Sequence, residues 1–227
     1  AYVTIPRVSP RGDGTRVRIA FSVMTIACVV QLTAQTKAPA APSFESIYER
    51  GVQMNSTLKT LTARFTETTT SELLTRPLIP HGTIAVERPS RIVLHYQDPD
   101  ARDVLIDGDL LTMSWPARRI REVTNIATIN RRIQRYFVET SPERLRDSFN
   151  IAVQTDHDRP RSIRLSMVPR RKQIREGLSG LDLWIDETSL MLSAMKMTFP
   201  NGDTKLMVLD EVVPNPPIDP SVFSAAK

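Results

Sequence analysis

The stretch GTIAVERPSRIVLHYQDPD, residues 82–100, predicts two β-strands separated by Arg-Pro-Ser. Side chains alternate sides along an extended chain, so Ile84, Val86 and Arg88 share one face of the first strand. Pro89 ends or bends that strand, because proline lacks an amide donor and fixes φ. A cation on an apolar face is costly unless it is bonded. Arg88 therefore either holds a partner on that face or turns outward into a surface ion pair.

The second strand continues the same alternation. Ile92 and Leu94 fall on the side of the first strand's apolar residues, while Val93 and His95 fall on the other side. Further period-two segments follow Leu58, separated by turn signals such as Asp-Pro-Asp and Asp-Gly-Asp. The segments are LTARFTETTTSELL, GTIAVER, RIVLHYQ, RDVLIDG, DLLTMSW and RRIREV. Short polar connections between consecutive strands predict an antiparallel meander.

Helical spacing appears at two places in the chain. Ser43 is a good N-cap for a first helix with apolar residues at Phe44, Ile47, Tyr48 and Val52. Two short amphipathic helices are predicted at 126–138 and 141–149, the second with Ser141 as its cap and Pro142 at its first position. The second set of strands is NIAVQT, SIRLSMV, LDLWIDE, LMLSAMKMTF and TKLMVLDEV, with a hairpin turn at Asn201-Gly202-Asp203.

The fold class predicted from these elements is mainly β with α, about eleven antiparallel strands and a few short helices. Several strands carry apolar residues on both faces, so one face must be covered by helices, by a ligand or by both. Met113, Met195 and Met197 lie in predicted strands. Methionine fills gaps in a core, and its flexible thioether also suits an adaptable apolar cavity.

Residues 1–34 have the order of a secretory signal. Arg16 and Arg18 precede an apolar run from about 19 to 30, and Leu-Thr-Ala at 32–34 is a plausible cleavage site. Two alternatives remain, an anchor helix and a lipoprotein acylated on Cys28, although the run is shorter than the roughly 20 residues that span a bilayer. We expect a removed signal at 1–34, a linker at 35–42 and one domain at 43–227.

Charge gives little reason to propose a nucleic-acid partner. Residues 1–34 hold four arginines and one aspartate, so the formal charge of +5 becomes +2 without them. Aromatic-basic interleaving and a glycine-rich phosphate loop are both missing from the sequence. The one local basic run is PRRKQIRE at 169–176. It is either a solvated loop or short helix, or a docking patch for anionic lipid headgroups or an acidic partner.

The sequence contains few features that indicate an enzyme. The histidines His81, His95 and His157 lack metal-ligand spacing, and no nucleophile motif is present. Asp107-Gly108-Asp109 resembles half of an ion site, but its alternating flanks favour a hairpin turn. The sequence therefore predicts a binding protein without catalytic residues, metal or cofactor, and an enzyme acting on lipid remains a rival hypothesis.

Several short motifs follow one another along the chain, namely Phe65-Thr66-Glu67, Gly82, Arg88-Pro89, Asp98-Pro99, Asp107-Gly108 and the ending NPPIDPSVF. Their order and spacing resemble the family of periplasmic outer-membrane lipoprotein carriers, the LolA-type proteins. The resemblance covers about residues 44–224. It implies a half-open antiparallel β-barrel closed by short helices, with an apolar cavity for lipoprotein acyl chains.

The resemblance also implies roles for particular residues. Arg88 would point into the cavity and hydrogen-bond the helical lid near residues 126–138, and Ile92 would line the cavity. The expected cavity wall, from this likeness and from the strand alternation, is Phe65, Ile84, Val86, Ile92, Leu94, Met113, Met195 and Met197.

A monomeric periplasmic carrier is implied, which takes acylated lipoproteins from an inner-membrane ABC-type releasing complex to an outer-membrane receptor. The sequence departs from the family at Leu94, Thr112 and Met113, where aromatic residues are common. The alternatives are a LolA-like carrier of another lipid or glycolipid, and an outer-membrane-anchored lipoprotein receptor.

Overall fold

The computed structural model describes residues 42–133, 141–156 and 158–224, so the predicted signal at 1–34 and His157 lie outside the described residues. The first element is helix α1, Phe44–Met54. The Ser43 hydroxyl accepts a hydrogen bond from the Ser46 amide, which satisfies one of the free donors of the first turn. This confirms the predicted cap.

Six strands follow α1, and each pairs antiparallel with the next. They are β1 (Thr60–Thr70), β2 (His81–Glu87), β3 (Arg91–Asp98), β4 (Arg102–Asp107), β5 (Leu110–Trp115) and β6 (Ile120–Asn125). Strand β2 ends just before Arg88-Pro89, and Gly108 adopts φ +56° in the turn after β4, so both predicted turns are confirmed. The interpretation of 71–74 as strand is wrong, because a bridge between Thr69 and Leu78 turns the chain back.

Two short helices separate the first six strands from the last five. They are α2 (Ala127–Ile133) and α3 (Pro142–Ser148), which confirms two helices in this region. The later elements are β7 (Phe149–Thr155), β8 (Ser162–Pro169), α4 (Lys172–Arg175), β9 (Gly180–Asp186), β10 (Leu192–Thr198), β11 (Thr204–Pro214) and a 3-10 turn at Pro220–Phe223. Within the described ranges, no helix has both the length and the apolar content needed to cross a bilayer.

All eleven strands form one sheet in the order β6-β5-β4-β3-β2-β1-β11-β10-β9-β8-β7. The chain runs outward from β1 to one edge at β6, crosses through α2 and α3 to the opposite edge at β7, and returns to the centre at β11. The first and last strands therefore pair in the middle, with Phe65 opposite Leu209. The two edge strands do not pair with each other, which confirms a half-open antiparallel arrangement.

The face of the sheet that carries the helices is called the inner face here. Phe44 and Ile47 of α1 and Leu145 of α3 pack on its β7–β9 half. The buried strand residues of that cluster are Phe149, Ile163, Leu165, Met167 and Leu181. Burying a Leu, Ile, Phe or Met side chain contributes about 1.5–3 kcal/mol, so this half holds the main core.

The opposite, outer face is covered near β2–β4 by the C-terminal tail. Phe223 packs against Ala85, Val93 and Leu105, with Ile218 partly buried beside them. The outer side chains alternate with the inner ones along each strand, as the sequence predicts for a sheet that is apolar on both faces. Helices α1 and α3 thus cover the inner face of the β7–β9 half, whereas the C-terminal tail covers the outer face of β2–β4. The inner face of β2–β6 is left available to form a site.

Candidate functional site

A groove of about 980 Å³ opens on the inner face of the sheet. It is bounded by α1, by the β2–β3 turn, by the start of α2 and by the β9–β10 turn. Its principal lining residues are Ile47, Tyr48, Val52, Val86, Arg88, Ile92, Ile106, Ile126, Asn130, Leu165, Ile185 and Leu190. Its volume lies at the upper end of the roughly 300–1,000 Å³ of small-molecule sites. Its walls are mainly apolar, although Glu87, Arg88 and Arg91 also line it.

Three apolar residues of helix α1, Phe44, Ile47 and Val52, line the groove but differ in exposure. Phe44 and Ile47 are 3% exposed, whereas Val52 is 57% exposed although it faces the groove. Asn55 ends the helix and donates to the Leu190 carbonyl at 3.4 Å, which ties the helix end to the β9–β10 turn. A single exposed apolar residue is common on protein surfaces, so Val52 counts here only as part of the apolar lining of the groove.

Helix α2 is attached to the opposite rim of the groove. The Ile126 amide donates to the Asp109 carbonyl at 2.8 Å, and the Asn130 side chain donates to the Asp109 carboxylate at 3.0 Å. The Asp-Gly-Asp turn between β4 and β5 therefore anchors the start of this helix. Sequence reasoning recognised the turn but missed its contact with the helix, which lies about twenty residues further along the chain.

Three of the predicted site residues line the groove: Val86, Arg88 and Ile92. The register places Ile84 opposite Leu94, and Met113 opposite Val104, so these predicted residues share the same inner face. The remaining three sit elsewhere on that face. Phe65 is only 1% exposed, and Met195 and Met197 pack against the main core cluster.

Arg88 lies in the β2–β3 turn and is exposed. Its amide donates to the Lys59 carbonyl at 2.9 Å. Within residues 42–133, 141–156 and 158–224, its guanidinium forms neither a hydrogen bond nor an ion pair. The resemblance assigned it to a lid near residues 126–138, of which 134–138 lie outside the described residues. The lid lock therefore stays a prediction, with Arg88 placed on the groove wall.

A buried polar cluster lies beyond the groove on the inner face. Glu67 is 3% exposed, and its carboxylate accepts from the Tyr96 hydroxyl at 3.1 Å and pairs with the Lys205 ammonium at 3.0 Å. The Phe65 and Tyr96 rings meet edge to face with centroids 4.9 Å apart, and the Arg102 guanidinium lies 3.8 Å from the Tyr96 ring centroid. Burial, followed by the charge of Glu67, raises the pKa of Tyr96 to about 12, so its hydroxyl remains a donor at neutral pH.

This cluster is the main feature that sequence reasoning missed. The spacing of Phe65-Thr66-Glu67 puts the ring and the carboxylate on the same face of β1. This alternation was the one sequence signal that a carboxylate lies on the inner face. The partners of Glu67 come from β3 and β11, far along the chain, and no local pattern marks them.

The histidines do not form a metal site in the described parts of the chain. His95 lies within 2.6 Å of the Asp103 carboxylate, and His81 within 3.6 Å of Asp98. His95 borders a second cavity, of about 500 Å³, beside the C-terminal tail. Among the described residues, no three His, Cys, Asp or Glu side chains are grouped so that they could hold a metal ion.

Comparison with known proteins gives one family match. The model of the family described as outer membrane lipoprotein carrier protein LolA matches residues 56–226. No curated protein sequence matches the chain.

Three solved structures illustrate the range of similar folds. Lipoprotein LppX of Mycobacterium tuberculosis has 11% identity and a TM-score of 0.46, over 76% of this chain and 95% of its own. A LolA superfamily protein from Nitrosomonas europaea has 8% identity and a TM-score of 0.40, over 81% and 98%. A chain of the Pseudomonas aeruginosa MucA/MucB complex has 12% identity and a TM-score of 0.45, over 78% of this chain and 59% of its own.

Proposed function

Because this chain belongs to the LolA family of outer membrane lipoprotein carrier proteins, we propose that it is a periplasmic carrier that shields the acyl chains of lipoproteins from water. The observation that carries the proposal is the aliphatic groove between α1 and the sheet, with Val52 left open beside Val86 and Ile92. Burial of one methylene contributes about 0.8 kcal/mol, so ten buried methylenes would contribute about 8 kcal/mol.

The proposal includes export directed by residues 1–34 and two protein partners. An inner-membrane ABC-type complex would load the carrier, and an outer-membrane receptor would unload it. Energy would enter at the loading step, so the carrier itself would need no cofactor. A carrier of another lipid or glycolipid would use the same groove, and mass spectrometry of the lipids that copurify with the protein separates the two cargo classes.

We expect Ile92→Glu to weaken binding of a fluorescent diacylated lipopeptide by at least about tenfold, because a carboxylate on the groove wall opposes apolar burial. Its free energy of unfolding should stay within about 1 kcal/mol of the wild-type value, since a groove position keeps access to water. Fluorescence titration and urea unfolding measure the two quantities.

Val123→Glu is the matched control, because Val123 lies opposite Thr112 on the outer face of the sheet and is 51% exposed. It should bind the lipopeptide as wild type does. Equal affinity of Ile92→Glu and wild type would rule out the groove as the acyl site, and outright unfolding of Ile92→Glu would make Ile92 a core residue.

Arg88→Leu should remain folded and accept lipopeptide, yet release it at least about tenfold more slowly to an acceptor. Two charge-assisted bonds to the lid, at about 1.5–3 kcal/mol each, would bias the empty closed form by about two to four powers of ten. An apolar replacement favours the open, loaded form instead. The release rate from preloaded protein to receptor or acceptor vesicles measures the effect.

Arg64→Leu is the control for loss of an arginine outside the groove. Arg64 pairs with Glu211 at 3.4 Å and lies opposite Thr83 on the outer face, away from the residues that line the groove. Its replacement should leave the release rate unchanged. If Arg88→Leu and wild type release cargo at equal rates, Arg88 locks nothing and its position on the groove wall is incidental.

A further inference from the structure

The connection between β1 and β2 exposes four large apolar side chains within seven residues. Leu73 is 92% exposed and Ile79 55%, and the other two are Leu74 and Leu78. Monomeric soluble proteins rarely leave contiguous apolar patches uncovered, and patches that stay exposed commonly mark interaction surfaces. The segment of residues 71–80 is called the apolar loop below.

Backbone hydrogen bonds fix the shape of the apolar loop. The amides of Thr69 and Leu78 each donate to the other's carbonyl, at 2.8 and 3.0 Å. Ser71 accepts from the Leu74 amide at its carbonyl and from the Leu73 amide at its hydroxyl. The leucines at the tip are therefore presented by a closed turn, which reduces the conformational entropy lost when they are buried.

Basic residues lie at the same end of the sheet. The antiparallel register directs the ends of β1, β5 and β8 toward the same end of the sheet, with the end of β5 level with Phe65 of β1. The basic run 170–175 follows β8, and its Lys172 and Arg175 are exposed. Arg118, which pairs with Asp100, and Arg119 follow β5. Each basic group lies four strands from β1, which is about 19 Å along the sheet at ~4.8 Å per strand.

We propose that this end of the sheet docks on an anionic bilayer surface, with the leucines of the apolar loop in the boundary between headgroups and acyl chains. The basic run would lie against the lipid phosphates. The three groups are spread over eight strand spacings, about 38 Å along the sheet, and an extended anionic surface can reach groups so far apart whereas a small ligand cannot. Interfacial binding increases with buried apolar area and with attraction of Lys and Arg to anionic lipids. Docking of this kind needs no cargo, so it does not depend on the proposed carrier function.

The test uses the protein as purified from cells and empty vesicles of phosphatidylethanolamine with phosphatidylglycerol, or of phosphatidylcholine alone. Leu73→Ser with Leu74→Ser should weaken cosedimentation with anionic vesicles by about tenfold or more, because it removes the inserted apolar area. Val123→Ser, an equally apolar exposed position away from this end, should bind as wild type does. Lys172→Glu with Arg175→Glu should weaken binding to anionic vesicles only, and added salt should remove that difference.

A local readout separates loop insertion from binding through any other part of the chain. Leu73→Trp should be quenched by brominated lipids well beyond the level that Trp115 and Trp184 give in the wild type, and Val123→Trp should not. Equal quenching of the two variants, or equal vesicle binding by wild type and the leucine double variant, would overturn the proposal. If the double variant binds vesicles normally but exchanges cargo poorly with a protein acceptor, the loop docks on a protein and the bilayer is not its partner.

Discussion

Gly82→Ala is expected to lower the free energy of unfolding by more than about 3 kcal/mol, and urea unfolding of the purified variant measures it. A Cβ on Gly82 would lie 1.9 Å from the His95 carbonyl oxygen and 3.0 Å from the Phe65 ring. The nearest atom belongs to the backbone of the neighbouring strand, so β3 would have to move away from β2. Overpacking of a well-packed site costs about 1–3 kcal/mol, and more when backbone must shift.

Gly51→Ala is the control for the same chemical change. A Cβ on Gly51 would meet no other atom within 4 Å, and the residue lies inside helix α1. Alanine should therefore stabilise the protein by about 0.5–1 kcal/mol. A Gly82→Ala variant with wild-type stability would contradict the close approach of β2 and β3 at this position.

The Gly82 contact also explains one of the short motifs in physical terms. Gly82 pairs with Phe65 of β1 and with Tyr96 of β3, so it lies between two aromatic rings at the middle of the sheet. The missing side chain leaves room for the edge-to-face pair, and aromatic cover of a strand glycine compensates for its lack of packing. The two motif residues Phe65 and Gly82 are therefore far apart in the sequence but directly paired across β1 and β2.

Alternation along the strands predicted the inner face correctly, because a slip of one residue would reverse every side chain of a strand. Ile84 and Leu94 were assigned to one face from the alternation, and their pairing confirms that face. Met113, which was predicted only as a strand methionine of the cavity, lies on the same face. The same rule did not settle Arg88, since β2 ends at Glu87 and alternation has no meaning in the turn that follows. The family resemblance is confirmed by the match over residues 56–226.

The order of the strands in the sheet could not be predicted from local sequence patterns. The central pairing joins β1 to β11, and Phe65 lies opposite Leu209 although more than 140 residues separate them. The exposure of the groove residues could not be predicted from local patterns either, because Ile47 and Val52 belong to one apolar stripe of α1. Both residues line the groove, and only the packing of β7–β9 decides that Ile47 is buried while Val52 stays exposed.

Lys205→Met is expected to lower the free energy of unfolding by about 2–3 kcal/mol. The change leaves the 3% exposed carboxylate of Glu67 without its cation, and removal of one partner from a buried ion pair costs about 3–5 kcal/mol. We expect a loss below that range because the Lys205 side chain is 34% exposed, so water can partly replace the lysine as a partner of the carboxylate. Urea unfolding at neutral pH measures the loss.

The double variant Lys205→Met with Glu67→Gln separates the loss of the pair from the cost of an unpaired charge. A neutral amide still accepts from the Tyr96 hydroxyl, so the double variant should regain most of the stability lost in Lys205→Met. Burial, followed by the charge of Glu67, raises the pKa of Tyr96 to about 12, so the stability contributed by its protonated hydroxyl is fully present below pH 10, the usual tyrosine value, and is lost as the pH rises through about 12. If the two changes simply add, Glu67 and Lys205 do not interact, and the carboxylate is stabilised by Tyr96 and its other surroundings alone.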